Sequence, residues 1–342
     1  MHTEHTPSVD FRLGIELTPD RPITRLVELA EQSEAAGFDV IFLSHHFNNR
    51  DPAVALGRLA GATDRVAIGP GVFNPYDIHP ARIASQLASL DELTDGRAIC
   101  GLGAGDPSTL QLLGIEQAAP ARCVHETISV LRRLWNGEHV THDGAFSLDG
   151  AALNFQSRPI PIVVGAQGPS MLRLAAAHGD GVLLNAAHPR DYRWATTHID
   201  RGRERRPADA TPLTVAGFVS VSVSTDAAAA TAAARPPVAF ITAGAPVETC
   251  RRHGLEETAV EGVRDALRAG DRTTAYERVT PRMLDAFCVA GTPEEVSAQL
   301  AKIGAFTDAL VLGSPLGPDP AEAVELLGDV DTRLEEVGVW AT

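Results

Sequence analysis

The sequence predicts an α/β fold, a (β/α)8 TIM barrel that carries insertions. Short runs rich in β-branched residues alternate with longer amphipathic stretches, and at least seven such βα units follow one another. Glycine-rich stretches lie at the carboxyl ends of several strands, where the loops of such a barrel converge and carry the chemistry. The length of 342 residues is within the range of one barrel. We therefore expect a single domain over residues 1–342.

The first half of the chain predicts four strands, each followed by a helix. The strands are expected at 12–17, 38–46, 65–75 and 97–106, and the helices at 24–37, 54–62, 79–94 and 124–135. Leu26, Leu29 and Ala30 share one face of the first helix, and Gly37 ends it. Three prolines and two glycines within residues 68–80 predict an unusual backbone path after the third strand.

The second half predicts the remaining units and two insertions. The strands are expected at 161–169, 179–187, 214–224 and 308–315, and the helices at 170–178, through 201–206, from 293 and from 319. Residues 137–150 have the pattern of an inserted hairpin. Residues 226–292 are rich in Ala and Arg and show no strand pattern, and they are longer than a usual barrel connection. They predict a helical subdomain that either caps the site or makes a subunit contact.

Charge and composition argue against several classes of protein. The formal net charge of −15 disfavours binding to nucleic acid. The four cysteines have no CxxC spacing, and adjacent histidines on a strand, here His45 and His46, point to opposite faces, so we expect no metal site. No apolar run has the length of a membrane span, and the polar N-terminus lacks the pattern of a secretory signal. We expect a cytoplasmic protein without a membrane partner.

Glu16 is the first candidate for chemistry because it interrupts the apolar strand LGIEL. Alternation along the strand places it on the same face as Gly14 and opposite to Ile15. Burial disfavours the charged form of a carboxyl group and raises its pKa, which suits a group that holds and releases a proton. The alternative is an inward Glu neutralised by a structural Arg.

Asp106 follows the glycine-rich end of the fourth strand, in the stretch GLGAGDPS. This stretch lacks the GxGxxG spacing of a dinucleotide-binding loop. Its glycines permit close approach of the backbone to a planar or anionic ligand, and Asp106 would project towards the barrel mouth. The alternative is that Asp106 caps the next helix.

A third candidate is the stretch GAQGPS, where a strand turns into a helix at Gly168 and Pro169. Free backbone amides and the helix dipole at such a turn can bind an anion or a phosphate. The neighbouring Gln167 can hydrogen-bond a heterocycle. A plain helix start is the alternative.

Taken together, these motifs resemble the coenzyme F420-dependent methylenetetrahydromethanopterin reductases, which are luciferase-like barrels. The resemblance extends over nearly the whole chain, and its motifs occur in family order. They are GIEL, residues 46–49, IGPGVFNPY, GRAICGLGAGD, VVGAQGP, GDGVLLNA, VAFITAGAP with RRHG, and LVLGSPLGPD. One departure is His45, which stands where the family typically has Asp.

The resemblance implies a set of site residues. The catalytic positions would be Glu16, Asp106 and Gln167. The residues that bind coenzyme F420 would be His46, Gly71, Val72, Asn74, Gly105, Ala166 and Gly168. A non-prolyl cis peptide is implied between Gly71 and Val72, forming a bulge behind the deazaflavin ring, and Gly168 would help to hold the cofactor's phosphate.

The reaction that the resemblance implies is hydride transfer from reduced coenzyme F420 to the methylene group of methylenetetrahydromethanopterin or methylenetetrahydrofolate, giving the N5-methyl pterin. Glu16 would protonate the leaving N10, and Asp106 would raise the pKa of Glu16 or stabilise the developing cation. Two alternatives remain open: another luciferase-like oxidoreductase, such as an F420-dependent alcohol or sugar-phosphate dehydrogenase or an FMN-dependent monooxygenase, and a non-catalytic cofactor-binding barrel. We expect a homodimer or homotetramer.

Overall fold

The computed structural model describes residues 9–330 and 333–334, with eleven strands and fourteen helices in that part of the chain. The strands are β1 (Leu13–Leu17), β2 (Val40–Leu43), β3 (Ala67–Pro70), β4 (Cys100–Leu102), β5 (Val140–Asp143), β6 (Ser147–Ala151), β7 (Ile162–Gly165), β8 (Gly181–Asn185), β9 (Thr214–Val223), β10 (Val289–Gly291) and β11 (Ala309–Leu316). The helices are α1 (Ile23–Ala35), α2 (Pro52–Ala60), α3 (Pro80–Leu93), α4 (Pro107–Leu112), α5 (Pro120–Trp135), α6 (Pro169–His178), α7 (Pro189–Arg203), α8 (Ala227–Gly244), α9 (Val247–Arg252), α10 (Glu257–Arg268), α11 (Arg272–Glu277), α12 (Pro281–Phe287), α13 (Pro293–Gly304) and α14 (Pro320–Gly328).

The chain divides into two units. The first consists of the described residues up to Leu184 together with Ala195–Ala216. The second consists of Asn185–Trp194 together with the described residues from Gly217 onwards.

Six parallel strands form the framework of the first unit. β1 pairs with β2 and β2 with β3, while β4 pairs with β7 and β7 with β8. Isolated parallel bridges, Ile68 to Ala98 and Phe73 to Leu102, join the two sets. Because these strands run parallel, their carboxyl ends and the loops that follow them lie at one edge. The predicted inserted hairpin is present as the antiparallel pair β5 and β6.

The core of the first unit follows the predicted periodicity. All five residues of β1 are buried, and α1 buries Leu26, Leu29 and Ala30 as the sequence predicts. Helices after the strands begin where a side-chain acceptor precedes a proline, as at Asp51 in α2 and Asp106 in α4. These caps set the point at which each loop of the site gives way to a helix.

The second unit contains most of β9, with β10, β11 and the helices from α8 onwards. β9 has β11 as one neighbour and also pairs with β10, in parallel, through Val289 and Val221. Helices α8 to α12 pack around their own apolar cluster, and Arg235 donates to the Val279 carbonyl at 2.9 Å. They occupy the segment that the sequence predicts to be an inserted subdomain, and its status as an insertion stays a prediction. The sequence missed β10, whose three residues are too few for a periodic pattern.

Across both units, eight strands besides β10 and the hairpin correspond to the eight repeats of the predicted fold. Within the described residues, no helix has both the length and the apolar character needed to cross a bilayer. The same residues contain no group of three or more His, Cys, Asp or Glu side chains arranged to hold a metal ion.

Candidate active site

Glu16 lies in β1, which pairs with β2, and its side chain is buried. It stands opposite Phe42 of β2, which in turn stands opposite Gly69 of β3. Only 3% of Glu16 is exposed, and Thr18 Oγ1 donates a hydrogen bond of 3.0 Å to its Oε1. Thr18, two residues further along the chain, therefore orients the carboxyl group of Glu16.

A bulge of residues 71–73 follows β3, and we call it the Val72 bulge. The peptide bond between Gly71 and Val72 is cis. The Gly71 amide donates to the Leu43 carbonyl at 2.8 Å, and the Phe73 amide donates to the Gly101 carbonyl at 2.9 Å. The Gly103 amide donates back to the Phe73 carbonyl at 2.9 Å. Backbone hydrogen bonds to the ends of β2 and β4 thus hold the bulge on both sides.

Glycines surround the Val72 side chain. A Cβ built at Gly101, Gly103 or Gly165 would lie 3.3, 2.6 or 3.4 Å, respectively, from a Val72 γ-carbon. The contact at Gly103 is shorter than real Cβ atoms show, so Val72 would have to move if any other residue stood there. The sequence predicts that these glycines let the backbone approach a planar or anionic ligand, which stays a prediction; in the structure they let the Val72 side chain approach.

Asn74 continues from the bulge and is 6% exposed. Its Oδ1 accepts hydrogen bonds from the amides of Tyr76 and Asp77 at 3.1 and 3.2 Å, which fixes the turn before α3. Gly105 has a φ of +75°, and a Cβ there would lie 3.0 Å from Asn74 Cγ. Gly105 is therefore required both by its left-handed backbone and by the proximity of Asn74.

Gln117 was missed by sequence reasoning. Its Nε2 donates to the carbonyls of Ala104 and Gly105 at 2.7 and 3.0 Å. Next to it, the Tyr76 hydroxyl donates to the Ala118 carbonyl at 2.5 Å. The segment before α5 is thus fastened to the loops after both β3 and β4. No local sequence pattern marks Gln117, because its partners lie 12 and 13 residues away.

Asp106 caps α4, which is the alternative that the sequence left open for it. Its Oδ2 accepts from the Thr109 amide and the Thr109 hydroxyl, both at 2.8 Å, and from the Ser108 hydroxyl. Burial by itself would raise the pKa of Asp106, but these hydrogen bonds outweigh it and hold the pKa below its ordinary value. A catalytic role for Asp106 stays a prediction. In such a role, Asp106 would act in its ionised form.

The turn after β7 holds three predicted site residues. The Ala166 amide donates to the Leu183 carbonyl at 3.0 Å, and Ala166 is buried, whereas Gln167 and Gly168 are exposed. Gly168 has an extended φ of −93°, and nothing lies within 4 Å of a Cβ built there. α6 begins at Pro169 without an acidic residue in its first turn. Anion binding at this turn stays a prediction.

His45 and His46 differ sharply in environment. His46 is exposed, whereas 9% of the His45 side chain is exposed, and its Nε2 lies 3.6 Å from Asp77 Oδ2. The His45 ring meets Phe73 edge to face, with 5.4 Å between ring centroids. Burial lowers the pKa of His45, and the opposing charges of Asp77 and Asp51 do not restore it.

These residues fit a planar ring with polar edges. The glycines at the ends of β4 and β7 add no side chains around Val72, so the Val72 side chain packs directly against their backbone, and a support of this kind suits a flat ligand. Two buried polar atoms near this surface, His45 Nδ1 and Asp77 Oδ1, have no hydrogen-bond partner among the described residues. The site therefore offers both a flat support and polar groups for the edge of a heterocycle.

Comparisons with known proteins concern the chain as a whole. The sequence profile of the luciferase-like monooxygenases matches residues 8–308. The chain is 40% identical to 5,10-methylenetetrahydromethanopterin reductase of Archaeoglobus fulgidus and 39% identical to that of Methanolobus tindarius. These alignments cover 93% and 92% of this chain and 98% of each relative. The structure of coenzyme F420-dependent tetrahydromethanopterin reductase from Methanopyrus kandleri superimposes with a TM-score of 0.87 at 33% identity, covering 94% of this chain and 98% of that one.

Proposed function

The chain belongs to the luciferase-like family and, within it, to the methylenetetrahydromethanopterin reductases, and on that premise we propose that it reduces the methylene group of a methylenetetrahydropterin to the N5-methyl pterin. The resemblance found in the sequence is confirmed, and so is the fold class, a (β/α)8 barrel of the luciferase-like type. Coenzyme F420 is the cofactor.

Two features of the first unit carry the proposal: the glycine-lined Val72 bulge after β3, and the buried carboxyl group of Glu16 in β1. When bound, reduced coenzyme F420 supplies a hydride, and its deazaflavin ring would rest against Val72. Gly103 and Gly105 allow Val72 and Asn74 to approach closely because neither glycine carries a side chain, and Gln117 holds the loop that contains Gly105. These residues orient the ring; they do not react.

Glu16 is our candidate general acid. Its carboxyl group is buried, and Thr18 orients it through Oε1. In this role it donates a proton to N10 of the pterin as the methylene bridge opens, which makes the remaining N5-methylene group a hydride acceptor. A buried position keeps that proton from exchanging freely with bulk water.

Asp106 and Gln167 take supporting roles in the proposal. The pKa of Asp106 lies below its ordinary value, so Asp106 is ionised at neutral pH and cannot serve as the acid. Its negative charge is suited to stabilising the cation that develops on the pterin. Gln167 is exposed at the end of β7, where its amide can hydrogen-bond the bound heterocycle.

The carrier is tetrahydromethanopterin in the proposal, because the relatives that align over almost their whole length bear that name. Tetrahydrofolate is the second candidate, since it presents the same N5, carbon and N10 unit. The test is anaerobic stopped-flow absorbance, in which reduced coenzyme F420 is mixed with the enzyme and each methylene carrier in turn.

Oxidation of the cofactor with the tetrahydromethanopterin carrier is the expected result, and faster oxidation with the folate carrier would reassign the substrate. Absence of oxidation with both carriers, although the cofactor binds, would overturn the proposed reaction.

A further inference from the structure

The tip of the hairpin formed by β5 and β6, residues 142–146, lies on helix α5 and is held there by the carboxylate of Glu126. Glu126 Oε2 accepts hydrogen bonds from the Ala145 amide at 2.7 Å and from His142 Nε2 at 3.0 Å. Its Oε1 accepts from Arg122 Nε at 2.6 Å. Burial by itself would raise the pKa of Glu126, but these hydrogen bonds outweigh it and lower the pKa to about 2. Glu126 is therefore ionised at neutral pH, and one carboxylate clamps the hairpin tip to α5.

The hairpin tip also contacts the residue that precedes α3. The Phe146 ring lies against the His142 ring, with 4.8 Å between centroids, and meets the His79 ring edge to face at 5.7 Å. His79 Nδ1 accepts a hydrogen bond of 3.2 Å from the Ala81 amide, which makes His79 the N-cap of α3. Phe146 therefore connects the clamped hairpin tip to the start of α3.

Residues 74–79, which we call the β3 turn, lead from the Val72 bulge to α3 and are attached to α5 at two points. Near the beginning of the turn, the Tyr76 hydroxyl donates to the carbonyl of Ala118, just before α5. At its end, the turn reaches α5 through the clamped hairpin tip. The turn, the hairpin tip and α5 thus form a closed ring of contacts. Opening that ring at the hairpin tip leaves the turn with one of these two attachments.

We propose that Glu126 is a positioning residue for coenzyme F420. By holding the hairpin tip on α5, its carboxylate keeps the β3 turn in place, and the turn is continuous with the Val72 bulge. The affinity for a ligand falls in proportion to the fraction of molecules whose site has the binding conformation, so a turn that moves more freely binds the cofactor more weakly. The proposal rests on the placement of the deazaflavin ring given above, but not on the reduction of a pterin, and its test measures no turnover.

The experiment compares Glu126→Ala and Phe146→Leu with the unchanged protein. Glu126→Ala removes the clamp and keeps a residue that favours helix in α5. Phe146→Leu keeps an apolar side chain but removes the ring that meets His79. Glu138→Ala is the matched control, because Glu138 precedes the same hairpin and its carboxylate pairs with Arg133, near the end of α5, at 2.8 Å.

Two quantities are measured without substrate. Fluorescence titration gives the dissociation constant of oxidised coenzyme F420, and hydrogen–deuterium exchange of the ligand-free protein gives the protection of the amides in the β3 turn. Glu126→Ala and Phe146→Leu should each weaken cofactor binding by about fivefold and speed exchange in the turn. The double variant should bind no more weakly than Glu126→Ala, because both changes open the same ring of contacts. Glu138→Ala should match the unchanged protein in both quantities.

Unchanged cofactor affinity in Glu126→Ala would overturn the proposal, because the clamp would then have no effect on the site. Weaker binding without faster exchange in the β3 turn would overturn it as well, since the effect would not pass through the turn. Additive effects of the two changes would mean that Glu126 and Phe146 act separately, again contrary to the proposal. Thermal unfolding checks that each variant is folded, and Phe146→Leu carries the test by itself if Glu126→Ala does not fold.

Discussion

Val72 Cγ2 lies 2.6 Å from the position that a Cβ on Gly103 would occupy. Gly165 comes near the same valine from the end of β7, with 3.4 Å between its Cβ position and a Val72 γ-carbon. Val72 is thus enclosed by backbone from two strand ends. The Val72 side chain fits there because those positions have no side chains.

We predict that Gly103→Ala displaces Val72 and damages the site. Overpacking of this kind costs about 1–3 kcal/mol of folding free energy, and we expect binding of coenzyme F420 to weaken at least about tenfold. Thermal unfolding and fluorescence titration measure the two effects. Gly57→Ala in α2 is the control, because a Cβ there meets nothing within 4 Å. Equal affinities for the two variants would contradict the steric argument.

We predict that Glu16→Gln lowers kcat by about 100-fold or more and leaves KM for the pterin within a few-fold, because the amide keeps the shape but cannot donate the proton. Steady-state kinetics under anaerobic conditions measure both constants. Thr18→Val should lower kcat by much less, since it removes only one orienting hydrogen bond. Turnover of Glu16→Gln near the wild-type value would rule out Glu16 as the acid.

Two substitutions at Asp106 separate its role as the N-cap of α4 from the effect of its charge on catalysis. Asp106→Asn keeps an acceptor for the Thr109 amide, whereas Asp106→Ala removes it and should destabilise α4 by about 1 kcal/mol. If the charge stabilises the developing cation, both variants lose kcat by a similar factor. If Asp106 only caps the helix, Asp106→Asn keeps its turnover and Asp106→Ala alone is impaired.

Gln117→Leu should loosen the loop that contains Ala104 and Gly105, because their carbonyls lose their shared donor. We expect affinity for coenzyme F420 to fall several-fold, with a smaller change in kcat, since Gln117 positions the loop and does not react. Gln111→Leu, at an exposed position on α4, provides the comparison. Identical cofactor affinities for these two variants would show that the tether has no effect on the site.

Acid stability in the second unit should depend on Asp191. Its carboxylate lies 2.7 Å from His253 Nε2 and 2.6 Å from Arg252 Nη1. Burial would raise the pKa of Asp191, but these two partners outweigh it and hold the pKa below 3.8. The contribution to stability is therefore present above pH 3.8 and lost as the pH falls through the lower folded value.

Asp191→Asn should remove this dependence and lower stability near neutral pH, where it leaves Arg252 without its buried carboxylate. Chemical denaturation between pH 3 and 7 measures the difference. Asp285→Asn is the control, because Asp285 is largely exposed and lies 3.9 Å from His188. A parallel pH profile for Asp191→Asn and the wild-type enzyme would contradict the assignment.

Much of the fold could be predicted from the sequence because it rests on local patterns. The alternation in LGIEL places Glu16 in a buried strand, and the spacing of Leu26, Leu29 and Ala30 defines the buried face of α1. The glycine-rich strand ends marked the region of the site. In contrast, β10 was missed, since three residues in a strand carry no periodicity.

What the sequence determined by itself is therefore which residues form the strands, where helices begin, and at which edge the candidate site residues lie. Only the tertiary structure decided their partners. Gln117 reaches Gly105, His45 faces Asp77, and Val72 fills the space between glycines of two other strands. Contacts of this kind depend on how separate βα units are brought together, and no periodicity within a single segment encodes them.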